Sequence, residues 1–177
     1  DVFANLRPVR MPEALLDASP LVPERARGTD MIFVRELTSG LYFGQPKMIE
    51  DLPDGSQRGV DTQAYTTGEI ARVADFAFEL ARSRSGKLHS VEKSNVMESG
   101  RLWRQVVSAR HADHSDIELI HMLGDNCGMQ LVKNPGQFDV ILADNMFGDI
   151  LSDVAGGVMG TLGMLPSASL SAPGADG

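Results

Sequence analysis

The sequence predicts an α/β fold, a layered mixed sheet with flanking helices. Short apolar runs of strand length alternate with longer segments whose apolar residues recur at helical intervals, which is typical of an α/β layered domain. Gly86 and Pro135-Gly136 separate consecutive segments, as turn residues do. The 177 residues are enough for one domain with a substantial buried core.

The beginning of the chain is predicted to contain a buried strand after a connecting segment. Residues 2–8 form a structured stretch, and residues 14–27 are a connecting segment punctuated by prolines. Met31-Ile32-Phe33-Val34 is a compact apolar run with the length of a buried strand. It leads directly into Arg35, which we therefore expect at the end of that strand.

Residues 41–65 are predicted to form a long hairpin, or protruding arm, rather than core. Aromatic residues mark both ends, around Tyr42-Phe43 and Tyr65, and the polar turn sequence Pro53-Asp54-Gly55 lies between them.

The second half of the chain is predicted to alternate helices with strands. Thr66 and Glu69 have the spacing of a capping box, apolar residues continue at helical intervals to Leu80, and Gly86 ends that helix. The further predicted elements are a strand at 88–92, a helix through 102–107, a strand at 117–123, a short helix at 126–133, a strand at 138–143 and a helix from 148.

The composition excludes several classes of protein. A net charge of −8 argues against a nucleic-acid partner, although a local arginine cluster can still bind small anionic substrates. Cys127 is the only cysteine, which excludes an intrachain disulfide and a cysteine-based zinc cluster and favours a cytoplasmic location. No apolar run approaches the length of a membrane span, so we expect no membrane partner.

Asn145 through Asp153 is the most informative stretch. Asp149 and Asp153 are four residues apart, so a helix places both carboxylates on one face, directly after the predicted strand at 138–143. Like charges at that spacing repel each other, so something must compensate, and a hard divalent cation with oxygen ligands is a candidate. Two carboxylates that point into water are the alternative.

Three predicted strand-to-helix junctions carry ionisable residues and suggest one shared site. Ligands of open α/β sheets bind at such junctions. Ordinary solvated loop residues remain the alternative at each junction. The three are Glu92-Lys93-Ser94-Asn95, Asp125-Asn126, and Asp149 with Asp153.

Arg7 and Arg35 are candidates for binding an anionic substrate. Arg7 precedes Pro8 and Arg35 follows a buried strand, so rigid backbone anchors both. Guanidinium groups bind carboxylates in a bidentate manner. Structural ion pairs are the alternative for both arginines, and a packing role is the alternative for Tyr42.

The remaining reactive residues show no site pattern. His111 and His114 lie near a predicted helix end beside acidic residues, where we expect them to be solvated. Cys127 has no identifiable base and is expected to be a small buried side chain. The sequence contains no glycine fingerprint for a dinucleotide or a phosphate loop.

The sequence resembles the isocitrate/isopropylmalate dehydrogenase family over nearly the whole chain. The stretch Arg35–Gly44 is similar to the substrate segment of the isopropylmalate enzymes in particular. The segments that carry the resemblance are Phe3–Pro8, Leu15–Leu21, Arg35–Gly44, Ser90–Val96, Asn145–Asp153 and Gly163–Ala168.

The resemblance implies an isopropylmalate dehydrogenase-like fold, oxidative decarboxylation of 3-isopropylmalate with NAD in leucine biosynthesis, and a role for each candidate residue. Mg²⁺ or Mn²⁺ would polarise the ketone formed on oxidation. Arg7 and Arg35 would bind the substrate carboxylates, Lys93 would help to deprotonate the C2 hydroxyl, Tyr42 would protonate the enolate, Asn95 would contact NAD, and Asp125, Asp149 and Asp153 would bind the metal.

The resemblance also implies a homodimer in which Lys93 and Asp125 reach the neighbouring subunit's site and the arm at 41–65 lies between subunits. Residues 1–160 would form the central substrate, metal and dimerisation domain, and 161–177 would begin the return into a cofactor domain. We expect the chain to be an internal fragment that is inactive alone. Leu123-Gly124 stands where the family has bulkier residues, which predicts looser packing behind Asp125.

Two alternatives to an isopropylmalate enzyme remain open at this point. One is an isocitrate- or tartrate-type dehydrogenase of the same family. The other is a non-catalytic dimerisation domain.

Overall fold

The structure, a computed structural model, describes residues 2–160 and 167–171. Strands and α-helices alternate along most of the described part of the chain. They are β1 (Val2–Arg10), α1 (Pro23–Ala26), β2 (Asp30–Glu36), β3 (Met48–Asp51), β4 (Gln57–Val60), α2 (Thr67–Arg82), β5 (Lys87–Glu92), α3 (Glu98–His111), β6 (Glu118–Leu123), α4 (Gly124–Lys133), β7 (Val140–Ala143), α5 (Asn145–Met159) and β8 (Ala168–Ser171).

A six-stranded mixed sheet, in the order β6-β5-β7-β2-β1-β8, forms the centre of the molecule. The strands β6, β5, β7 and β2 are parallel, whereas β1 is antiparallel to both β2 and β8. The carboxyl ends of the four parallel strands therefore meet at one edge of the sheet. Near this edge Val91, Ala143 and Arg35 are register neighbours on three adjacent strands.

Helices cover both faces of the sheet and create two apolar clusters. Strand side chains alternate between the faces, so that Val34 and Leu142 pack towards α2 and α3. Their chain neighbours Phe33 and Ile141 pack towards α4 and α5 on the other face. The predicted layered sheet with flanking helices is confirmed.

The capping signals are confirmed where the sequence showed them, and one helix starts earlier than predicted. Thr66 and Glu69 form the capping box of α2, because the backbone N–H of each donates to the side chain of the other, over 2.7 and 3.3 Å. Helix α5 begins at Asn145 rather than at 148, since the Asp144 carboxylate accepts a hydrogen bond from the backbone N–H of Phe147 over 2.7 Å and caps the helix.

The predicted hairpin is present, but one of its aromatic ends belongs to the core. Strands β3 and β4 form a separate antiparallel ladder with largely exposed residues, including Ile49 at 76% exposure. Tyr65 is buried in the apolar cluster beneath α2 and α3, with its ring edge-on to Trp103. The assignment of Tyr65 to an arm was wrong, because its ring supplies apolar area that the core uses.

Part of the expected return over 161–177 lies outside the described residues, namely 161–166 and 172–177. The described portion contributes β8, which extends the sheet beside β1. In the described residues we find no helix with both the length and the apolarity needed to cross a membrane.

Candidate active site

Asp149, on the first turns of α5, is the centre of a cluster of charged groups. The Nη1 of Arg35 donates to Asp149 Oδ1, and Arg7 Nη2 lies 3.0 Å from the same oxygen. The hydroxyl of Tyr42 donates to Asp149 Oδ2 over 2.7 Å. Two strands and the segment after β2 therefore bring three of the candidate residues together around one carboxylate of α5.

Asp153 lies on the same helix face as Asp149, as the spacing predicted. Arg7 contacts both carboxylates, with its Nη1 3.2 Å from Asp153 Oδ1. Their mutual repulsion is thus offset by a guanidinium within the chain, in an ion pair of the kind that the sequence analysis kept as the alternative role of Arg7.

Arg35 is held on three sides. Its stem lies against Gly148, where an added Cβ would stand 2.7 Å from Arg35 Cγ, so only glycine leaves room for it. Its guanidinium carbon is 5.4 Å from the centre of the Tyr42 ring, a cation–π distance. Its Nε and Nη2 donate to Asn145 Oδ1 over 3.0 and 2.7 Å.

Arg7 is held in a similar way on the neighbouring strand. Its Nε donates to Asn5 Oδ1 over 2.9 Å, and Asn5 pairs with Arg35 across the ladder between β1 and β2. Its Nη1 also donates to Ser152 Oγ over 2.9 Å. Both guanidinium groups are therefore directed towards α5 by neutral side chains.

Tyr42 keeps its proton in this cluster. The hydrogen bond to Asp149 and, to a smaller extent, burial raise the pKa of Tyr42 above its ordinary value. The hydrogen bond needs the phenol proton, and burial disfavours the charged phenolate. The phenol remains a proton donor at neutral pH.

Lys93 and Asp125 form a second group at the same edge of the sheet. The ammonium of Lys93 donates to Asp125 Oδ1 over 2.7 Å, and this ion pair holds the pKa of Asp125 below its usual range. Gly100 allows α3 to approach the Lys93 loop, since an added Cβ would lie 2.7 Å from the Lys93 carbonyl carbon. Asn95 is exposed in that loop.

Within residues 2–160 and 167–171, no hydrogen bond or ion pair joins this pair to the Asp149 cluster. No three His, Cys, Asp or Glu side chains of that described part are close enough to hold a metal ion together. The Asp125, Asp149 and Asp153 set is therefore not assembled within a single chain.

Packing behind Asp125 is tight rather than loose. Gly124 is buried, and an added Cβ would lie 2.6 Å from Cε1 of the Phe147 ring. The expectation of loose packing was wrong, because an aromatic ring of α5 fills the space that a small residue on α4 leaves.

Two buried acids beside the site have no distinctive spacing, and the sequence analysis did not identify them. Glu36 is fully buried and accepts hydrogen bonds from the backbone N–H groups of Thr38 and Ser39 and from the Tyr65 hydroxyl. Burial raises the pKa of the Asp144 carboxyl to about 6.

Asn145 was also missed as a functional residue, although a signal was available. It stands four and eight residues before Asp149 and Asp153, so a helix that starts at 145 places all three on one stripe.

The prediction of two solvated histidines was wrong. His111 is half-buried, stacks on Phe78 at a ring-centroid distance of 5.8 Å and hydrogen-bonds to the Ile117 carbonyl oxygen over 2.8 Å. His114 is buried and stacks on Phe78 at a ring-centroid distance of 4.7 Å, because the turn after α3 folds it back onto α2. Cys127 is fully buried, as predicted, and burial raises the pKa of its thiol to about 12.

The arrangement has a defined chemical capacity. Two guanidinium groups suit a ligand with two carboxylates, two carboxylates on one helix face offer oxygen atoms to a hard cation, and a protonated phenol lies beside them.

Comparison with known proteins gives consistent matches. The family model described as isocitrate/isopropylmalate dehydrogenase matches residues 1–176. A 3-isopropylmalate dehydrogenase of Caulobacter vibrioides is 62% identical over the whole chain, and one of Gluconobacter oxydans is 58% identical. The chain spans about half the length of these relatives, 51% and 48%.

Solved structures agree on the fold. An isocitrate dehydrogenase from Methylococcus capsulatus is 29% identical with a TM-score of 0.82, over 96% of this chain and 48% of its own. The TT0538 protein from Thermus thermophilus is 34% identical with a TM-score of 0.79, over 96% of this chain and 32% of its own.

Proposed function

The chain belongs to the isocitrate/isopropylmalate dehydrogenase family, and from that premise we propose that it supplies the substrate- and metal-binding part of an NAD-dependent 3-isopropylmalate dehydrogenase of leucine biosynthesis. The observation that carries the proposal is the convergence of Arg7, Arg35 and Tyr42 on Asp149. A solvated pair of carboxylates would not gather two oriented guanidinium groups and a phenol.

Arg7 and Arg35 bind the two carboxylates of the substrate. Both groups are less than a quarter exposed, and each keeps at least one N–H directed at the helix face where the ligand binds. Partial burial strengthens such charge-assisted hydrogen bonds relative to those at a solvated surface. The Asp149 carboxylate holds the place of the ligand's carboxylate in the free protein.

Lys93 and Tyr42 move the protons. Lys93 Nζ takes the proton of the C2 hydroxyl, directly or through water, as the C2 hydride leaves. The carboxylate on C3 then departs as CO₂, and its bonding electrons form an enolate. Tyr42 Oη donates its proton to C3 of that enolate, a role that its position beside Asp149 and Arg35 supports.

The residues present fit a divalent cation in part and give one contact for the dinucleotide. Asp149 and Asp153 supply two oxygen ligands on one face, and Asp125 would supply the third from a second copy. Asn95 is exposed beside Lys93, and in this proposal it contacts the nicotinamide ribose. When bound, Mg²⁺ or Mn²⁺ would supply a Lewis acid, and NAD⁺ would supply the hydride acceptor.

A homodimer completes the site in this proposal. One face of α4 carries Asp125, Met129 and Val132 in succession. The last two are exposed apolar side chains. Ile150 and Val154 are exposed on α5 next to Asp149 and Asp153. An uncovered apolar surface beside metal ligands supports a second copy of this chain as its partner, with the hairpin of β3 and β4 as the intersubunit arm.

The division of the chain and its cellular location are also part of the proposal. Residues 1–160 would form the central substrate, metal and dimerisation domain, and 161–177 would lead towards a cofactor domain. A single cysteine, buried and with a raised thiol pKa, favours the cytoplasm.

The proposed activity can be tested in a chimera. This chain replaces the matching region of the Caulobacter vibrioides relative, which supplies the other half. With Mg²⁺ and NAD⁺, we expect 3-isopropylmalate to produce NADH faster than isocitrate or tartrate does.

Two controls accompany the assay. The chimera with Lys93→Met should lose the activity, and the 177-residue chain alone should produce no NADH, since it spans only half of the relatives. Preference for isocitrate or tartrate would favour the alternative substrates. A folded chimera that is inactive with all three would favour a non-catalytic dimerisation domain.

A further inference from the structure

We propose that Asn145 is the positioning residue that orients Arg35 towards a bound dicarboxylate, an inference that rests on the proposed function. A guanidinium has two edges through which it can bind a carboxylate, the Nε–Nη2 side and the Nη end. Asn145 Oδ1 occupies the side edge of Arg35 with hydrogen bonds of 3.0 and 2.7 Å. Only the Nη end therefore faces Asp149 and any ligand that takes its place.

Asn145 can do this because it is itself fixed. Its side chain is 1% exposed, and its Nδ2 donates to the backbone carbonyl of Ser39 over 3.1 Å. Its backbone N–H donates to the Tyr65 hydroxyl over 2.9 Å. The amide group is thus held in one orientation by contacts from α5, the segment after β2 and the core, so its oxygen has one possible direction.

Asn5 and Arg7 provide a comparison within the same site. Among the residues that the structure describes, Asn5 Oδ1 accepts one hydrogen bond, from Arg7 Nε over 2.9 Å, and Asn5 Nδ2 makes longer contacts of 3.3 and 3.4 Å to β8. Arg7 has a further neutral partner in Ser152. Asn145 is the neutral partner of Arg35 on its side edge, so its loss should matter more than the loss of Asn5.

One consequence concerns Arg35→Lys. A lysine ammonium cannot bind the asparagine oxygen with one edge and a ligand carboxylate with another, since it is a compact point charge. Arg35→Lys should therefore weaken dicarboxylate binding even though the positive charge is retained.

The test compares Asn145→Leu, which has the same branched shape but no acceptor, with Asn145→Asp, which keeps the acceptor. In the chimera we expect Asn145→Leu to raise the KM for 3-isopropylmalate roughly 10- to 100-fold, the scale of a charge-assisted hydrogen bond, with a smaller change in kcat. Asn145→Asp should recover part of the loss. Asn5→Leu should have a smaller effect, and Asn134→Leu, at the exposed end of α4, should have none.

A ligand comparison separates positioning from general damage. Inhibition by a small dicarboxylate should weaken in Asn145→Leu more than inhibition by the monocarboxylate that lacks one of its carboxyl groups. Equal weakening of both, or an unchanged KM, would overturn the inference.

The NMR signal of the Arg35 Nε–H, assigned with Arg35→Lys, gives a readout that does not depend on activity. In the unmodified chain this proton should exchange slowly with solvent, and its signal should shift when the dicarboxylate is added. The exchange should remain slow in Asn145→Asp and become fast in Asn145→Leu. An inactive parent chimera would contradict the proposed function alone. A labile signal in the unmodified chain would overturn the role of Asn145 whatever the chimera does.

Discussion

The Asp149 cluster and the pair of Lys93 with Asp125 lie at the same edge of one sheet but are built differently. Asp149 is contacted by side chains from β1, β2 and the start of the arm, and the two arginines involved are also held by asparagines. Among the described residues, Lys93 pairs with Asp125 alone. The Lys93 side chain is 21% exposed, close to the 22% of Arg7, whereas the Asp125 side chain is 67% exposed. Several side chains orient the first group before any ligand binds, whereas the second is a single ion pair that ends in an exposed carboxylate.

This difference is what we expect if two copies of the chain together form a complete site. Residues that bind the substrate must be held in advance, because disorder in them would cost affinity. Residues that a chain presents to a neighbour must instead remain accessible until the two copies meet. We expect the two copies to contact each other through the exposed apolar residues beside Asp125 and on α5.

The largest effect is expected for the pair of Lys93 with Asp125. In the chimera, Lys93→Met should lower kcat by ~10²–10⁴-fold, the usual contribution of a general acid–base group, and should leave the KM for 3-isopropylmalate nearly unchanged. Steady-state kinetics on NADH formation measures both. A KM that rises as much as kcat falls would mean that Lys93 belongs to substrate binding, and the contrast between the two groups would then be lost.

The next effect is expected for Tyr42→Phe, at the boundary of the oriented group. In the proposed mechanism the phenol donates the proton to the enolate, so its removal should slow turnover by ~10²-fold after CO₂ has left, while hydride transfer in a single turnover remains fast. Rapid-mixing measurement of the first turnover separates these steps. A slow first hydride transfer would contradict the assigned role.

A third prediction concerns the rigidity of the oriented group, through the cap of α5. The pKa of Asp144 is raised to about 6 in the folded protein and is about 4 in an unfolded chain. Protonation of Asp144 therefore favours the folded protein. The stability that the protonated carboxyl contributes is fully present below about pH 4 and is lost as the pH rises to about 6. Asp144→Asn should gain stability relative to the parent over that interval, by at most roughly 3 kcal/mol.

Urea unfolding at several pH values measures this difference. Asp54→Asn, on the exposed hairpin turn, is the matched control, because hydrogen bonds from Ser56 lower the pKa of Asp54 and reverse the sign. If the free energies of unfolding of the parent and of Asp144→Asn changed with pH in the same way, burial would not be raising the pKa of Asp144.

The smallest effect is expected for Asp149→Asn on folding. The carboxylate repulsion alone would predict that this substitution stabilises the protein. The structure predicts the reverse, a loss of about 1–2 kcal/mol, because Arg7 and Arg35 lose their shared partner. Mn²⁺ affinity, measured by calorimetry in the chimera, should also fall. Unchanged metal affinity would remove Asp149 from the metal site.

Much of the fold was predictable because its signals are local. The capping box at Thr66 and Glu69, the apolar run before Arg35 and the four-residue spacing of Asp149 and Asp153 each lie within a few residues, and the structure agrees with all three.

What could not be predicted depends on contacts between distant parts of the chain. The pairing of Arg35 with Asn145 joins residues 110 positions apart, and the filling of the space at Gly124 depends on a ring from the next helix. The burial of His114 depends on how the turn after α3 meets α2. Residue types at these positions fit several environments, and only the packing selects one.

The central claim is that Lys93 and Asp149 of different copies form one active site, and subunit complementation tests it most directly. Chimeras with Lys93→Met and with Asp149→Asn, each inactive alone, are unfolded together, refolded and assayed as a mixture. If the site is shared, half of the dimers are mixed and one of their two sites is intact, so the activity should return to about a quarter of the parent value. If Lys93 and Asp149 of the same chain act together, every site carries a defect and the mixture stays inactive, which would contradict the account.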